Sequence, residues 1–171
     1  TIQWLHFLPT LQNNDWILHM DVAQKQEAIE HHYDVGNDFY ALWLDAHMVY
    51  SCALWSSDAY QESLETAQIA KLDWHLDNLS NGKAQHILDI GCGWGSLLQR
   101  HSERNSQASS VGLSLSSEQC DYVKSKNIMD CQVYLNSWTK HDPERSYDGI
   151  VSIGAFEHFA DSRMPSDKKL T

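Results

Sequence analysis

The stretch QHILDIGCGWGSLLQR, residues 85–100, is the most informative part of the sequence about the class of fold. Three glycines, Gly91, Gly93 and Gly95, stand where a short apolar run gives way to a helical pattern. Glycine loses more backbone freedom on folding than any other residue, so this placement indicates close approach to bare backbone. Open α/β sheets bind ligands at strand-to-helix turns of this kind. The spacing is G-x-G-x-G with Asp89 just ahead of it, and a tight turn without a ligand is the alternative interpretation.

The residues around and after the glycine stretch alternate between strand and helix patterns. Short β-like runs occur at 86–90, 109–115, 131–135 and 147–155, with helical patterns at 96–104 and 117–126. This alternation predicts βαβ units and a parallel sheet covered by helices, which is an α/β fold. Doubly wound sheets usually carry about six strands. Because only four patterns are found, we expect the chain to be the N-terminal part of a longer protein, truncated at its C-terminus.

The first 80 residues favour helices instead. Helical patterns cover 1–20, 22–32 and Tyr60 to Leu79, the last closed by Asn81-Gly82. We predict that residues 1–80 form an N-terminal helical cap on the substrate side. Residues 81–171 are then the N-terminal part of an α/β core, and cap and core make one structural domain.

The segment GNDFYALWLD at 36–45 predicts one or two further turns of helix. Asn37 or Asp38 is the expected N-cap, because both side chains can accept a hydrogen bond from the first turn. The side chains expected to pack into the core from this turn are Phe39, Leu42 and Trp43.

Composition and charge narrow the class of protein. A chain of 171 residues with 42% hydrophobic and 20% charged residues is typical of one soluble globular domain. Twelve basic against 23 acidic residues give a net charge of −11, which opposes nucleic acid binding and allows at most peripheral membrane contact. No apolar run reaches the roughly 20 residues of a membrane span and no signal-peptide pattern occurs, so we expect a cytoplasmic protein. The four cysteines form no C-x-x-C pair, which argues against a metal site or disulfide framework.

Two further strand ends carry polar residues. The run IVSIGAFEHFA at 150–160 brings Glu157 to the carboxyl end of the fourth strand, where α/β sheets carry their functional groups. A solvated loop acid is the alternative. The run GLSLSSEQ at 112–119 has serines where dinucleotide enzymes place a carboxylate. Ser116 and Gln119 also fit an S-x-x-Q capping box, and both interpretations stay open.

Six stretches, in this order, resemble the cyclopropane fatty acid synthase family, which includes the mycolic acid cyclopropane synthases. They are HYDVGNDFYALWLD, MVYSCALW, LETAQIAKLD, LDIGCGWGS, VGLSLSSEQ and IVSIGAFEHF, and they span about residues 30–160. The elements YSCA, DIGCGWG and SIGAFEHF together are far more specific than the glycine stretch alone. The resemblance implies a Rossmann-like class I S-adenosylmethionine (SAM) methyltransferase sheet with an N-terminal helical cap, in an enzyme of lipid biosynthesis.

The resemblance also implies where the cofactor SAM would bind. Its contacts would fall on Tyr50, Ser51, Gly91, Gly93, Leu115, Gln119 and Trp138, with Asp89 helping to hold the glycine loop. Gln119 would replace the usual ribose-binding carboxylate. This chain reads Ser137-Trp138-Thr139 where the family usually reads G-W-E, so a carboxylate expected near the adenine is absent.

The reaction implied is transfer of a methyl or methylene group to an unsaturated acyl chain or similar apolar substrate through a carbocation. The aromatic faces of Tyr50, Trp55 or Phe156 could stabilise that cation. Bicarbonate would be the general base, held by Cys52, the backbone near Ile153 and Glu157. The family's later histidine and tyrosine, which complete this site, are expected beyond Thr171, so we expect the fragment alone to be inactive.

Two other functions stay open. The same fold could methylate nitrogen or carbon of a soluble small metabolite, a substrate that suits the charge of −11 better than an anionic bilayer. A catalytically silent SAM-fold domain could instead serve as a scaffold. Cys52 could equally be a small core hydrophobe. The sequence determines neither the substrate nor the oligomeric state.

Overall fold

A computed structural model describes residues 36–56, 61–156 and 159 of the chain. The helices predicted over 1–20 and 22–32 lie outside the described residues, and so does Glu157.

The described residues form a parallel sheet with helices. The strands are β1 (His86–Ile90), β2 (Ser109–Ser114), β3 (Cys131–Leu135) and β4 (Gly149–Val151). The helices are α1 (Asn37–Ala41), α2 (Leu64–Asn78), α3 (Ser96–Arg104) and α4 (Ser117–Ser125), with 3-10 turns at Leu79–Gly82 and Trp138–Lys140. All strand pairs are parallel, in the order β3-β2-β1-β4. The predicted α/β fold is therefore confirmed.

Strand β1 lies in the middle of the sheet, between β2 and β4. Its Leu88 stands in register with Val111 of β2 and Ile150 of β4. Successive side chains of a strand point to opposite faces. Ile87 accordingly packs in an apolar cluster with α2 and α3, whereas Leu88 packs with Val111 and Leu113 on the other face. Apolar residues on both faces are what a central parallel strand requires.

Strand β4 is shorter than the pattern at 147–155 predicts. Just before it, the Asp148 carboxylate accepts hydrogen bonds from the backbone N–H groups of Gln85 and His86, at 2.9 and 2.8 Å. Just after it, Gly154 takes a φ of +75°, which lies outside the β region. Asp148 thus anchors the start of β1, and Gly154 turns the chain after β4.

Helix α2 is well defined at both ends. Ser63 is its N-cap and accepts a hydrogen bond from the Thr66 N–H at 3.2 Å. At the other end the helix stops at Asn78, one residue before the predicted Leu79, and the Asn81-Gly82 pair predicted to close it has positive φ. Its start at Leu64 is later than the predicted Tyr60, because the chain reaches the N-cap only at Ser63. With 15 residues it is the longest described helix, and no helix in the described part of the chain is long and apolar enough to cross a membrane.

Helix α1 corrects two predictions. Its N-cap is Gly36, with a φ of +95°, and Asn37 is already its first helical residue. The side chains of Phe39, Leu42 and Trp43 are 47%, 82% and 48% exposed, so they are not core residues. The buried side chain is Tyr40, whose ring centroid lies 4.7 Å from that of Trp94. A helix of a single turn buries only one side of itself, and Tyr40 occupies that side.

Candidate functional site

The glycine loop after β1 lies at the carboxyl edge of the sheet. The N–H groups of Gly91 and Cys92 both donate to the Leu113 carbonyl at the end of β2, at 2.9 and 3.0 Å. Gly91, Gly93 and Gly95 have φ values of +79°, +52° and +79°. Residues with a side chain rarely adopt these left-handed φ values, so the loop conformation itself favours glycine.

The three glycines differ in what surrounds them. A Cβ on Gly91 would lie 2.6 Å from the Cβ of Ala155, and one on Gly95 would lie 2.9 Å from a methyl group of Val123 in α4. A Cβ on Gly93 would meet no atom within 4 Å. Packing therefore accounts for Gly91 and Gly95, and only Gly93 faces open space. The close approach to the backbone that the sequence predicts at all three positions is made by a protein side chain at Gly91 and at Gly95.

The segment at 50–52 reaches the same edge of the sheet from the N-terminal side. A Cβ on Gly154, in the turn after β4, would lie 3.7 Å from the Cβ of Ser51 and 4.0 Å from the Tyr50 carbonyl oxygen. Ser51 is held from behind by α2, where Lys71 Nζ donates to its Oγ at 2.6 Å and Gln68 Nε2 donates to its carbonyl at 2.9 Å. The exit of β4 thus connects the glycine loop, through Ala155, to Ser51.

The end of β2 is organised by serine and glutamine side chains. Ser114 Oγ donates to Gln119 Oε1 at 2.7 Å and accepts from the Ser116 N–H at 3.1 Å. Ser116 Oγ in turn accepts from the Gln119 N–H at 3.3 Å. The capping box is half formed, because Ser116 caps α4 while the Gln119 side chain bonds to Ser114 instead. Gln119 is buried and fixed with its carbonyl oxygen engaged, and Leu115 beside it is half-buried.

Asp89 lies buried in β1, two residues ahead of Gly91. Burial disfavours its charged form and raises the pKa of its carboxyl to about 7. Burial, and then the Asp89 carboxylate, raise the pKa of the Cys92 thiol well above its usual value. Cys92 is therefore a protonated packing residue of the α3–α4 face rather than a nucleophile.

The remaining predicted residues lie in three places. Cys52 is exposed, so the core alternative for this cysteine is wrong. Ile153 is half-buried and packs against the cluster formed by α2, α3 and β4. Trp138 is partly exposed, with its ring centroid 5.3 Å from that of Phe159, and the Thr139 hydroxyl bonds to Ser137 Oγ at 3.0 Å.

Four residues that organise this edge were not singled out as site residues from the sequence: Asn37, Gln68, Lys71 and Trp94. Trp94 Nε1 donates to Asn37 Oδ1 at 2.7 Å, which joins α1 to the glycine loop. Lysine and glutamine in an amphipathic helix are expected on its exposed face. Here Gln68 and Lys71 face inward toward a residue 17 and 20 positions earlier, and no local pattern signals that.

Comparisons with known proteins agree with this architecture. The mycolic acid cyclopropane synthetase family matches residues 20–167. Cyclopropane mycolic acid synthase 1 of Mycobacterium tuberculosis is 40% identical over 140 residues, which cover 79% of this chain and 47% of that protein. The chain therefore spans about half the length of the curated relatives it matches.

Two solved structures share the fold at similar identity. Mycolic acid cyclopropane synthase CmaA1, complexed with SAH and CTAB, superimposes with a TM-score of 0.70 at 38% identity, over 81% of this chain and 48% of that one. The cyclopropane synthase MmaA2 from Mycobacterium tuberculosis gives 0.71 at 40% identity, over 82% and 49%. The resemblance stated from the motifs is confirmed, as is the class of sheet it implied. With a family match over most of its length and relatives at 40% identity, this chain belongs to the mycolic acid cyclopropane synthetase family.

Proposed function

We propose that this chain is the cofactor-binding part of a SAM-dependent C-methyltransferase that acts on an unsaturated acyl chain. The observation that carries the proposal is the open position at Gly93, in a left-handed loop at the carboxyl edge of a parallel sheet, next to the exit of β4 and the 50–52 segment. Relatives that share this sheet are cyclopropane mycolic acid synthases, and one of them contains SAH.

The described residues fit SAM. Gly91 and Gly93 would receive its methionyl end on bare backbone, with Tyr50 and Ser51 opposite. Gln119, whose carbonyl oxygen is occupied by Ser114, has amide donors with which to bind ribose hydroxyls. Trp138 and Leu115 would flank the adenine. When bound, SAM supplies an electrophilic methyl group on a sulfonium.

An apolar substrate suits the side chains around this edge. Tyr50, Trp55 and Phe156 are exposed aromatic residues close in sequence to Ser51 and Gly154. Their faces would keep water from a carbocation on the acyl chain and stabilise it by cation–π attraction. The CTAB bound in CmaA1 carries a long alkyl chain, which supports an apolar ligand in this family.

A base is needed to remove the final proton, and we propose a bicarbonate ion held by Cys52, the backbone at Ile153 and Glu157. Cys52 is exposed and directly follows Ser51, while Ile153 directly precedes Gly154, so the two share one part of the edge. Glu157 lies outside the described residues. In this arrangement Glu157 orients the ion rather than taking the proton itself.

Alanine substitution at two glycines tests the cofactor assignment. Gly93→Ala places a methyl group in the open space of the loop. Gly82→Ala is the matched control, since Gly82 also has a left-handed φ, +73°, with no atom closer than 3.8 Å, and closes α2 away from the site. Isothermal titration with SAH should show at least a tenfold weaker affinity for Gly93→Ala and no change for Gly82→Ala. Unchanged affinity in folded Gly93→Ala would overturn the assignment.

Methyl transfer tests the substrate class. Label from SAM should appear in an unsaturated acyl lipid offered to the full-length enzyme and not in soluble amines. Label in amines alone would replace this proposal with small-metabolite methylation.

A further inference from the structure

Helix α2 buries two polar side chains on the face that it turns toward the 50–52 segment. Gln68 is 3% and Lys71 is 6% exposed. Their three-residue spacing places them on one face of the helix. Both donate to the same residue, Lys71 Nζ to Ser51 Oγ and Gln68 Nε2 to the Ser51 carbonyl. One helix therefore fixes the hydroxyl and the backbone of one serine.

Both side chains carry a free-energy cost of burial. Burial lowers the pKa of Lys71 to about 8, although Asp45 and Cys52 act in the opposite direction. Gln68 Oε1 is buried and has no hydrogen-bond partner among the described residues. A buried ammonium and an unpaired amide oxygen both destabilise a fold, and an aliphatic side chain would avoid both penalties. What the two residues provide is the placement of Ser51.

That placement determines what the Ser51 hydroxyl can do. A serine hydroxyl has one hydrogen to donate and two lone pairs to accept. Because Lys71 donates to Ser51 Oγ, the serine hydrogen remains available for an acceptor on the site side. The ammonium behind it strengthens that donor and favours an acceptor that carries negative charge.

We propose that Lys71 and Gln68 are positioning residues of the cofactor site, which hold Ser51 so that its hydroxyl donates to the carboxylate of SAM. The proposal rests on the proposed function, which places the methionyl end of SAM between Gly93 and Ser51. The charged and titratable groups that face Lys71 are Asp45, Cys52 and His75. The Asp45 carboxylate is already engaged, because it accepts from the N–H groups of His47 and Val49 at 3.1 and 2.8 Å.

A comparison of two ligands distinguishes a role in positioning the Ser51 hydroxyl from a general role in maintaining the site. SAH carries the carboxylate, and 5′-methylthioadenosine has the same nucleoside without the amino acid part. In isothermal titrations, Lys71→Met should weaken SAH binding at least tenfold and Gln68→Met several-fold, with 5′-methylthioadenosine unchanged. The urea concentration at the midpoint of unfolding should stay the same or rise for both variants, so that the loss of affinity is not accompanied by a loss of stability. Lys126→Met is the matched control, because Lys126 is another partly buried lysine with a lowered pKa, bonded to Gln99 instead.

Ser51→Ala removes the same hydroxyl and leaves the buried residue 71 unchanged, so this test does not depend on whether Lys71→Met folds. It should reproduce the loss of SAH affinity, and in the double variant with Lys71→Met the two losses should not add, since both act through one hydroxyl. Equal losses for both ligands, additive losses, or unchanged SAH affinity would each overturn the positioning role. Binding of SAH by the parent chain confirms the proposed function separately. A parent that binds neither ligand overturns both proposals.

Discussion

The glycine loop at 91–95 and the segment at 50–52 meet at one edge of the sheet, yet they are held there by different forces. The loop is fixed by its own backbone, through two N–H bonds to Leu113 and left-handed φ values that glycine adopts. The segment is fixed by side chains from elsewhere, Gln68 and Lys71 of α2.

Because they are held by different forces, the loop and the segment should respond differently to substitution. A side chain added at Gly91 or Gly95 collides with its neighbours, so the fold suffers together with the site. A polar group removed from α2 relieves a penalty of burial, so the site suffers while the fold does not. The predictions that follow test this contrast, in order of decreasing effect.

Gly91→Ala should have the largest effect on stability. Its left-handed φ costs a non-glycine residue about 1–2 kcal/mol. The added methyl also meets the Ala155 Cβ at 2.6 Å, and such overpacking costs typically 1–3 kcal/mol. We expect a loss of about 3 kcal/mol, against about 1 kcal/mol for Gly93→Ala, where the space is open. Urea unfolding measures both, and equal losses would show that the loop is not held as described.

Asp89→Asn should stabilise the chain in a pH-dependent way. The pKa of Asp89 is about 7 in the folded chain, whereas the ordinary value of an aspartate, which applies to the unfolded chain, is 3.8. The folded chain therefore holds the proton more tightly than the unfolded chain does. Stability is therefore lost as the pH rises from about 4 through 7, and asparagine, which does not titrate, escapes this loss. The advantage of the variant should grow by about 3 kcal/mol between pH 5 and pH 8.

Urea unfolding of parent and Asp89→Asn at those two pH values gives the measurement. A difference that does not change with pH would mean that Asp89 is ionised in the fold throughout this range.

Asn37→Ala should lower the stability of the chain modestly, because Asn37 joins α1 to the glycine loop. Its side chain accepts from Trp94 Nε1 at 2.7 Å, and Trp94 is 2% exposed. Loss of a buried hydrogen bond of this kind costs about 1 kcal/mol. Asn37→Asp keeps an acceptor at the same position and serves as the control. A loss of the same size in both variants would assign the effect to the helix start and not to the bond.

Cys52→Ser should have the smallest effect on the fold. The side chain is exposed, so we expect a stability change within about 0.5 kcal/mol and an unchanged affinity for SAH. Turnover of the enzyme should fall strongly, with partial recovery on added bicarbonate, because a lost ion contact raises a dissociation constant that concentration overcomes. Unchanged turnover would remove Cys52 from the base site.

Local patterns predicted much of the sheet and its helices correctly. Strands β1 and β3 and helix α3 have the predicted bounds, and α4 ends one residue early. These elements follow from periodicity and from glycines at a turn, which are properties of neighbouring residues. The resemblance to the cyclopropane synthases is also confirmed. Its motifs are short contiguous stretches, so they can be recognised without knowledge of the tertiary structure.

The exposure of individual side chains and their hydrogen-bond partners could not be predicted from local patterns. Phe39, Leu42 and Trp43 are apolar and were expected inside, but a one-turn helix buries only Tyr40. No local pattern in the sequence indicated that α2 turns Gln68 and Lys71 toward Ser51.

The alternation of strand and helix, the glycine loop between β1 and α3, and the family can all be recognised in the amino-acid sequence. Each of these depends on residues adjacent along the chain, whose conformational preferences act locally. Only the tertiary structure decided that Gly91 is required by Ala155 and Gly95 by Val123, while Gly93 faces open space. It also decided that a lysine 20 positions away supports Ser51. Those contacts join residues far apart in sequence, and packing brings them together only when the helices close on the sheet.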